Sequence, residues 1–186
     1  MVSRTSALIS NYSISSVKVD EKITLSFKEI RNLDLKQIAA WPSTIESVDL
    51  KLASIINVKN APGFNKVLSA NNTHILRIEP LKWWIIEGGN VEIGSSEGAI
   101  LDLSNAFTSI EIKGDNAKFF LNRHLPLDLR DNSFPINFIA SSAIHHVSVK
   151  IWRTDKGYRL FVPRGFALSI WEILLETASQ FGYEIL

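Results

Sequence analysis

Alternation of apolar and polar positions runs through much of the chain and predicts strands. In "KITLSFKEI", Ile23, Leu25 and Phe27 alternate with polar residues, which gives a half-buried strand. "ESVDLKLASIINV" reads the same way, with Val48, Leu50 and Leu52 on one face. "NAPGFNKVLSANN" changes period: Asn60 as cap, Pro62 early, and Phe64, Val67 and Leu68 at i, i+3, i+4 predict a short helix. "THILRIEP" and "KWWIIEGG" are two short strands, separated at Pro80 and ended by Gly88–Gly89. Strands follow over Ala99–Leu103 and Phe107–Lys113, then a second short helix with Asp115 as cap, Phe119, Phe120 and Leu121 as its apolar side, and Pro126 as its stop. "SAIHHVSVKIWR" and "KGYRLFVPRG" are strands meeting at a turn over Thr154–Gly157. The final segment, "FALSIWEILLETASQFG", places Ala167, Ile170, Trp171, Leu174, Ala178 and Phe181 at helical spacing before Gly182, and "YEIL" ends as a strand.

Helices do not alternate strictly with single strands in this order, so the pattern predicts an α+β fold with mixed or antiparallel sheets and helices packed on them. The Ser- and Asn-containing residues 1–20 are expected to form an extended arm, and residues 21–186 a single domain. A chain of 186 residues can bury a core without staples.

Composition narrows the chemistry. There are no cysteines, which excludes disulfides, thiolate metal sites and a cysteine nucleophile. Twenty Lys and Arg nearly balance nineteen Asp and Glu without a basic block, so nucleic acid is not an expected partner. No apolar run reaches the roughly 20 residues of a membrane helix, and no secretory leader pattern stands at the start. Together these features read as a cytoplasmic protein.

Motifs with catalytic potential have simpler explanations. "GSSEG", Gly94–Gly98, fits G-x-S-x-G, but β-like sequence follows where the nucleophile elbow requires a helix, so the segment reads as a turn. His145 and His146 are adjacent; on a strand they point to opposite faces and cannot share a metal ion. His74 and His124 stand alone. Asp102, Asp115, Asp128 and Asp131 sit where turns and caps need them. Neither a G-x-G-x-x-G nor a Walker A pattern occurs. The paired Trp83 and Trp84 are more informative. As strand neighbours they face opposite sides, so the core takes one, while the other needs a helix layer or a partner surface.

The segments "ILRIEPLKWWII", "GAILDLSNAFTSIEIKGDNAKFFLNRHLPLDL" and "YRLFVPRGFALSIWEILLETASQFG" resemble, in order, those of the gamma subunit family of heterotetrameric sarcosine oxidase. That family carries a G-P-D-E-W-L segment, a D-L-S segment, a G-x-x-A-x-x-x-L helix, a C-P-x-D-L segment, an x-V-x-R-S-F-A-x-S-x-W-x-x-L helix and a terminal F-G. The match covers about residues 74–182 and is most specific in the last segment. The chain departs from it in three places. The acidic pair before Trp83 is missing, Leu125 stands where the family has cysteine, and Gly165 replaces its serine.

The resemblance implies a fold related to the folate-binding domain of aminomethyltransferases. It implies a non-catalytic subunit of a complex that oxidatively demethylates sarcosine to glycine. No catalytic, cofactor or metal residue is then expected on this chain. FAD, FMN, NAD and tetrahydrofolate would belong to the larger alpha and beta subunits, zinc to delta, and the partners would be alpha, beta and delta. One of Trp83 and Trp84, together with Arg164, is the expected interface anchor set. The alternative is a free-standing folate-binding or C1-transfer protein, for which Asp102 and Asp128 are the candidate pterin-binding acids.

Overall fold

The structure is a computed structural model and describes residues 5–186; the first four residues of the expected arm lie outside the described residues. Among the described residues, twelve strands and three α-helices form two compact units. Unit 1 holds the described residues up to Asn32, Asn105–Ile136 and Ala140–Leu186; unit 2 holds Leu33–Ser104 and Asn137–Ile139.

The strands of unit 1 are β1 (Ser15–Val17), β2 (Leu25–Ile30), β8 (Phe107–Lys113), β9 (Ile139–Ile144, all but its first residue), β10 (Val147–Thr154), β11 (Gly157–Pro163) and β12 (Tyr183–Ile185). They form a seven-stranded sheet in the order β1-β12-β2-β8-β11-β10-β9. The pairing of β12 with β2 is parallel, while β1–β12, β2–β8, β8–β11 and β10–β11 are antiparallel, so the sheet is mixed. Helices α2 (Ala117–Asn122) and α3 (Ala167–Ala178) belong to this unit. The apolar stripe predicted for α3 is buried, from Ala167 through Ile170, Trp171 and Leu174 to Ala178. Gly182 then turns the chain with a φ of 75°. Phe27 lies at the centre of the aromatic core, edge-on to Phe120 (5.5 Å), Trp171 (5.8 Å) and Tyr183 (6.0 Å).

Unit 2 is a five-stranded antiparallel sheet in the order β4-β5-β6-β3-β7, with strands β3 (Leu35–Ala40), β4 (Val67–Ala70), β5 (Thr73–Glu79), β6 (Lys82–Ile86) and β7 (Gly98–Asp102). Helix α1 (Ile45–Ile55) covers one face, and Val48, Leu52 and Ile56 pack with Ile38, Ile75, Trp83 and Ile85.

The α+β class, the two strands around Pro80, the hairpin at Thr154–Gly157, the last helix and the last strand are as the sequence predicts. Four local expectations are corrected. Residues 45–55 are helical, not extended: Val48 and Leu52 are one helical turn apart and both buried, whereas Leu50, expected on the same face, is 61% exposed. The helix expected over residues 60–68 does not form, because Asn65 adopts a φ of 58° and Val67 enters β4, paired with Leu76. The single strand expected across His145 and His146 is two strands: His145, at a φ of 51°, turns the chain between β9 and β10, so opposite strand faces no longer describe this pair. In α2, the cap position is Asn116 rather than Asp115, no side chain caps the helix, and Phe119 is exposed while Phe120 and Leu121 are buried.

The arm is also more structured than its polar composition predicts. Leu8 is fully buried, Tyr12 stacks on Trp171 at 5.5 Å, and the Trp171 indole donates to the Asn11 carbonyl. The Tyr12 hydroxyl donates to the Leu186 carbonyl and accepts from the Glu29 backbone N–H, which extends the hydrogen bonding along β2.

Candidate functional site

In unit 2 the ladder of β6 against β5 and β3 fixes the directions of the paired tryptophans. Trp83 faces α1, where the Arg77 guanidinium lies 4.8 Å from its ring centroid. Trp84 faces the other side, as the strand period requires, and its indole donates to Gln37 Oε1 at 3.2 Å. The second tryptophan is expected to need a helix layer or a partner surface; Trp83 is 0% and Trp84 1% exposed, so both indoles are covered within the chain. Leu76, across from Trp84 in the ladder, and Ile86, two residues on along β6, are also fully buried, so both faces of β6 are covered.

Arg164 lies in unit 1, at the end of β11. Its backbone N–H donates to the Ala106 carbonyl and its guanidinium to the Thr5 carbonyl at 2.6 Å, so it anchors the arm. A small cavity of about 60 Å³ lies beside it, lined also by Ser6, Glu29, Arg31 and Thr108. Glu29, 8% exposed, accepts the Ser6 hydroxyl (2.6 Å) and the Arg31 guanidinium (3.3 Å) there. Sequence reasoning did not single out Glu29. The signal that finds it is its parity: Leu25, Phe27 and Glu29 share the buried face.

The acids already have structural duties. Asp128 accepts from the Arg130 guanidinium and the Ser133 hydroxyl, which hold its carboxyl far below the ordinary range. Asp102 accepts the Ser104 backbone N–H, closing the turn after β7. Asp131 pairs with Arg153 at 2.8 Å and is lowered by it. Glu97, inside "GSSEG", accepts from Lys51, Ser47 and the Gly94 N–H, and these bonds bring its pKa to about 2. The serine motif is therefore a turn clamped to α1, with β7 following where an elbow needs a helix. His124 packs edge-on against Phe120, and burial, then the His145 and Arg123 charges, lower its pKa. Among the described residues no group of three or more His, Asp or Glu is arranged to hold a metal ion, and no helix is long and apolar enough to cross a membrane.

One surface feature was not legible as such in the sequence. Strand β7 is the edge of its sheet, paired only with β3 among the described residues. Its register, with Leu103 N–H bonded to Leu35 and Trp41 N–H to Glu97, turns Ala99 and Leu101 toward β3 and leaves the Ile100 N–H and C=O pointing outward. Ile100 is 38% and Leu101 54% exposed, on opposite faces. Gly98 is required where the strand begins, since a Cβ there would lie 2.3 Å from the Ala39 carbonyl oxygen.

The order of strands and helices in both units, and the position of the Arg164 turn ahead of α3, can now be compared with known proteins. Over 93 residues the chain is 28% identical to the gamma subunit of sarcosine oxidase from Corynebacterium sp. (strain P-1), a match that covers 50% of this chain and 46% of that protein. The gamma subunit from Arthrobacter sp is 28% identical over 74 residues, covering 40% of this chain and 36% of that one. The chain resembles the gamma subunit of sarcosine oxidase. It matches less than half the length of those curated relatives. Among solved structures, a chain of the heterotetrameric sarcosine oxidase from Corynebacterium sp. U-96, in complex with pyrrole 2-carboxylate, superposes with a TM-score of 0.74 at 20% identity, over 89% of this chain and 88% of that one. Aminomethyltransferase T of the glycine cleavage system from Bartonella henselae gives 0.64 at 14% identity, over 89% of this chain and 48% of that one. At these identities the two structures show the fold: the α+β architecture of the sarcosine oxidase chain and of aminomethyltransferases. No family model matches the chain.

Proposed function

We propose that this chain is a structural, non-catalytic subunit of a sarcosine-oxidase-like complex, assembled in the cytoplasm with partners equivalent to the alpha, beta and delta subunits. The complex oxidises the N-methyl group of sarcosine, giving glycine. FAD, FMN, NAD and tetrahydrofolate sit on the other subunits. The observation that carries this reading is the set of curated relatives, each a sarcosine oxidase gamma subunit. The engagement of Asp128, Asp131 and Glu97 in local ion pairs and turns also supports a structural role. Trp83 and Trp84 then serve assembly by stiffening the sheet from within, and Arg164 by fixing the arm. Co-expression with the large flavoprotein chains tests the reading. The expected result is one complex containing this chain, with sarcosine-dependent peroxide formation by the complex and none by this chain alone. Failure to co-purify refutes it.

A second reading, a folate-binding or C1-transfer protein, is favoured by the fold shared with aminomethyltransferase T. Quenching of intrinsic tryptophan fluorescence on titration of the isolated chain with tetrahydrofolate would establish that reading; a flat titration would remove it.

A further inference from the structure

Edge strands offer a row of unpaired backbone donors and acceptors, and proteins ordinarily blunt them with lysine, proline, a bulge or a covering segment. The edge at β4 is met by the short stretch around Asn137, through the Val67 N–H to the Asn137 carbonyl and a bridge between Lys66 and Phe138. The edge at β1 is a three-residue strand. Strand β7 has none of these protections. It reads Gly-Ala-Ile-Leu-Asp, its pairing with β3 is regular, and every residue after Gly98 is exposed. Ile100 offers one N–H and one C=O outward, and Ile100 and Leu101 extend apolar side chains to the two sides of the same edge.

We propose that the free edge of β7 receives an extended segment of one of the larger partner chains that is apolar on both faces, which adds a sixth strand to the sheet of unit 2; this rests on the subunit reading above. The edge fixes what can bind. The outward N–H and C=O of Ile100 select an extended chain, and apolar side chains on both faces select apolar residues at consecutive positions. Its size argues against a second copy. A five-residue strand is about 17 Å long, and with side chains reaching about 10 Å across the sheet, a symmetric pairing covers roughly 350 Å² in total. Stable associations bury about 1,200–2,000 Å². The occupant therefore needs contacts beyond the strand itself, which a larger chain supplies and a second β7 does not.

Three full-length variants test this in co-expression with the large flavoprotein chains. Ile100→Pro removes the outward N–H and leaves the bonds of Ala99 and Leu101 to β3 in place, as proline on a solvent-side edge position permits. Leu101→Lys places a charge on the edge and retains the whole backbone ladder. Leu50→Lys, at an exposed position on α1 of the same unit, is the control. The expected result is that the wild type and Leu50→Lys assemble, whereas both edge variants, folded by circular dichroism, are captured at least about tenfold less well. A folded edge variant that assembles like the wild type overturns the proposal and leaves the subunit reading intact. A wild type that captures no partner overturns the subunit reading, and this occupant falls with it. If the lone chain sediments as a dimer that Ile100→Pro dissolves, a second copy fills the edge and the proposal is overturned on that ground.

Discussion

Trp171→Ala tests how the arm, sheet and last helix of unit 1 are joined. The indole is fully buried, stacks on Tyr12 at 5.5 Å, meets Phe27 edge-on at 5.8 Å and donates to the Asn11 carbonyl at 3.4 Å. Truncating a buried aromatic to alanine costs about 3–5 kcal/mol. Two aromatic contacts, each worth about 0.5–1.5 kcal/mol beyond area burial, place this site in the upper part of that range. With a urea m-value of about 2 kcal/mol/M, the midpoint should fall by about 2 M. Trp171→Phe keeps an aromatic ring beside Phe27 and loses a long hydrogen bond, so it should lose less than half as much. Tyr12→Ala completes a double-mutant cycle, and the pair should show a coupling of at least about 0.5 kcal/mol. An unchanged midpoint for Trp171→Ala would mean that the stripe of α3 does not form the core. Strict additivity with Tyr12→Ala would mean that the arm does not rest on it.

Glu97→Gln should change acid stability in one direction. The Glu97 carboxyl titrates near 2 in the folded chain against 4.5 for the free group, so its contribution is complete above pH 4.5 and is lost as pH falls toward 2. The variant should therefore be less stable than wild type at pH 6, with the difference closing across that window in urea titrations at successive pH; a constant difference would contradict the clamp. Trp83→Ala and Trp84→Ala should both destabilise the lone chain, each by about 3–5 kcal/mol, because both indoles are buried. A surface-like loss below about 0.5 kcal/mol at either position would contradict the burial of that indole.

Alternation was legible in β2, which has one wet face. Apolar runs bounded by turn residues gave β5, β6 and β11, and helical spacing gave α3. One misreading arose because a short window satisfies two periods at once. Val48, Leu50 and Leu52 fit a strand by alternation, yet Val48 and Leu52 also fit a helix, and only the tertiary cover over Val48 and Leu52 decides between them. Strand β3 escaped notice because "LKQIAA" carries a weak alternation, although it lies between β6 and β7. Turns made by Asn65 and His145 depend on positive φ, which side-chain pattern does not reveal in non-glycine residues. For the candidate site, the sequence singled out Trp83, Trp84 and Arg164 as expected anchors without showing their surroundings. The docking of Thr5 on Arg164 joins residues far apart in the chain.

The discontinuity of unit 1 gives the two sheets different histories during synthesis. Unit 2 has all five of its strands once Asp102 has been made, and each pairs with a strand of its own stretch. Strand β2 has no such neighbour. Phe27 lies opposite Ile112 on one side and Ile185 on the other. At about 5–20 residues per second, the second of these partners leaves the ribosome roughly ten seconds or more after Phe27. During that interval an apolar strand near the start of the chain is without its sheet, while the middle of the chain is able to fold. Loop-closure entropy makes the late pairing slow as well. The order of assembly is thus from the inside of the sequence outward, and a nascent chain stalled after unit 2 would present Leu25 and Phe27 as the surface that chaperones hold.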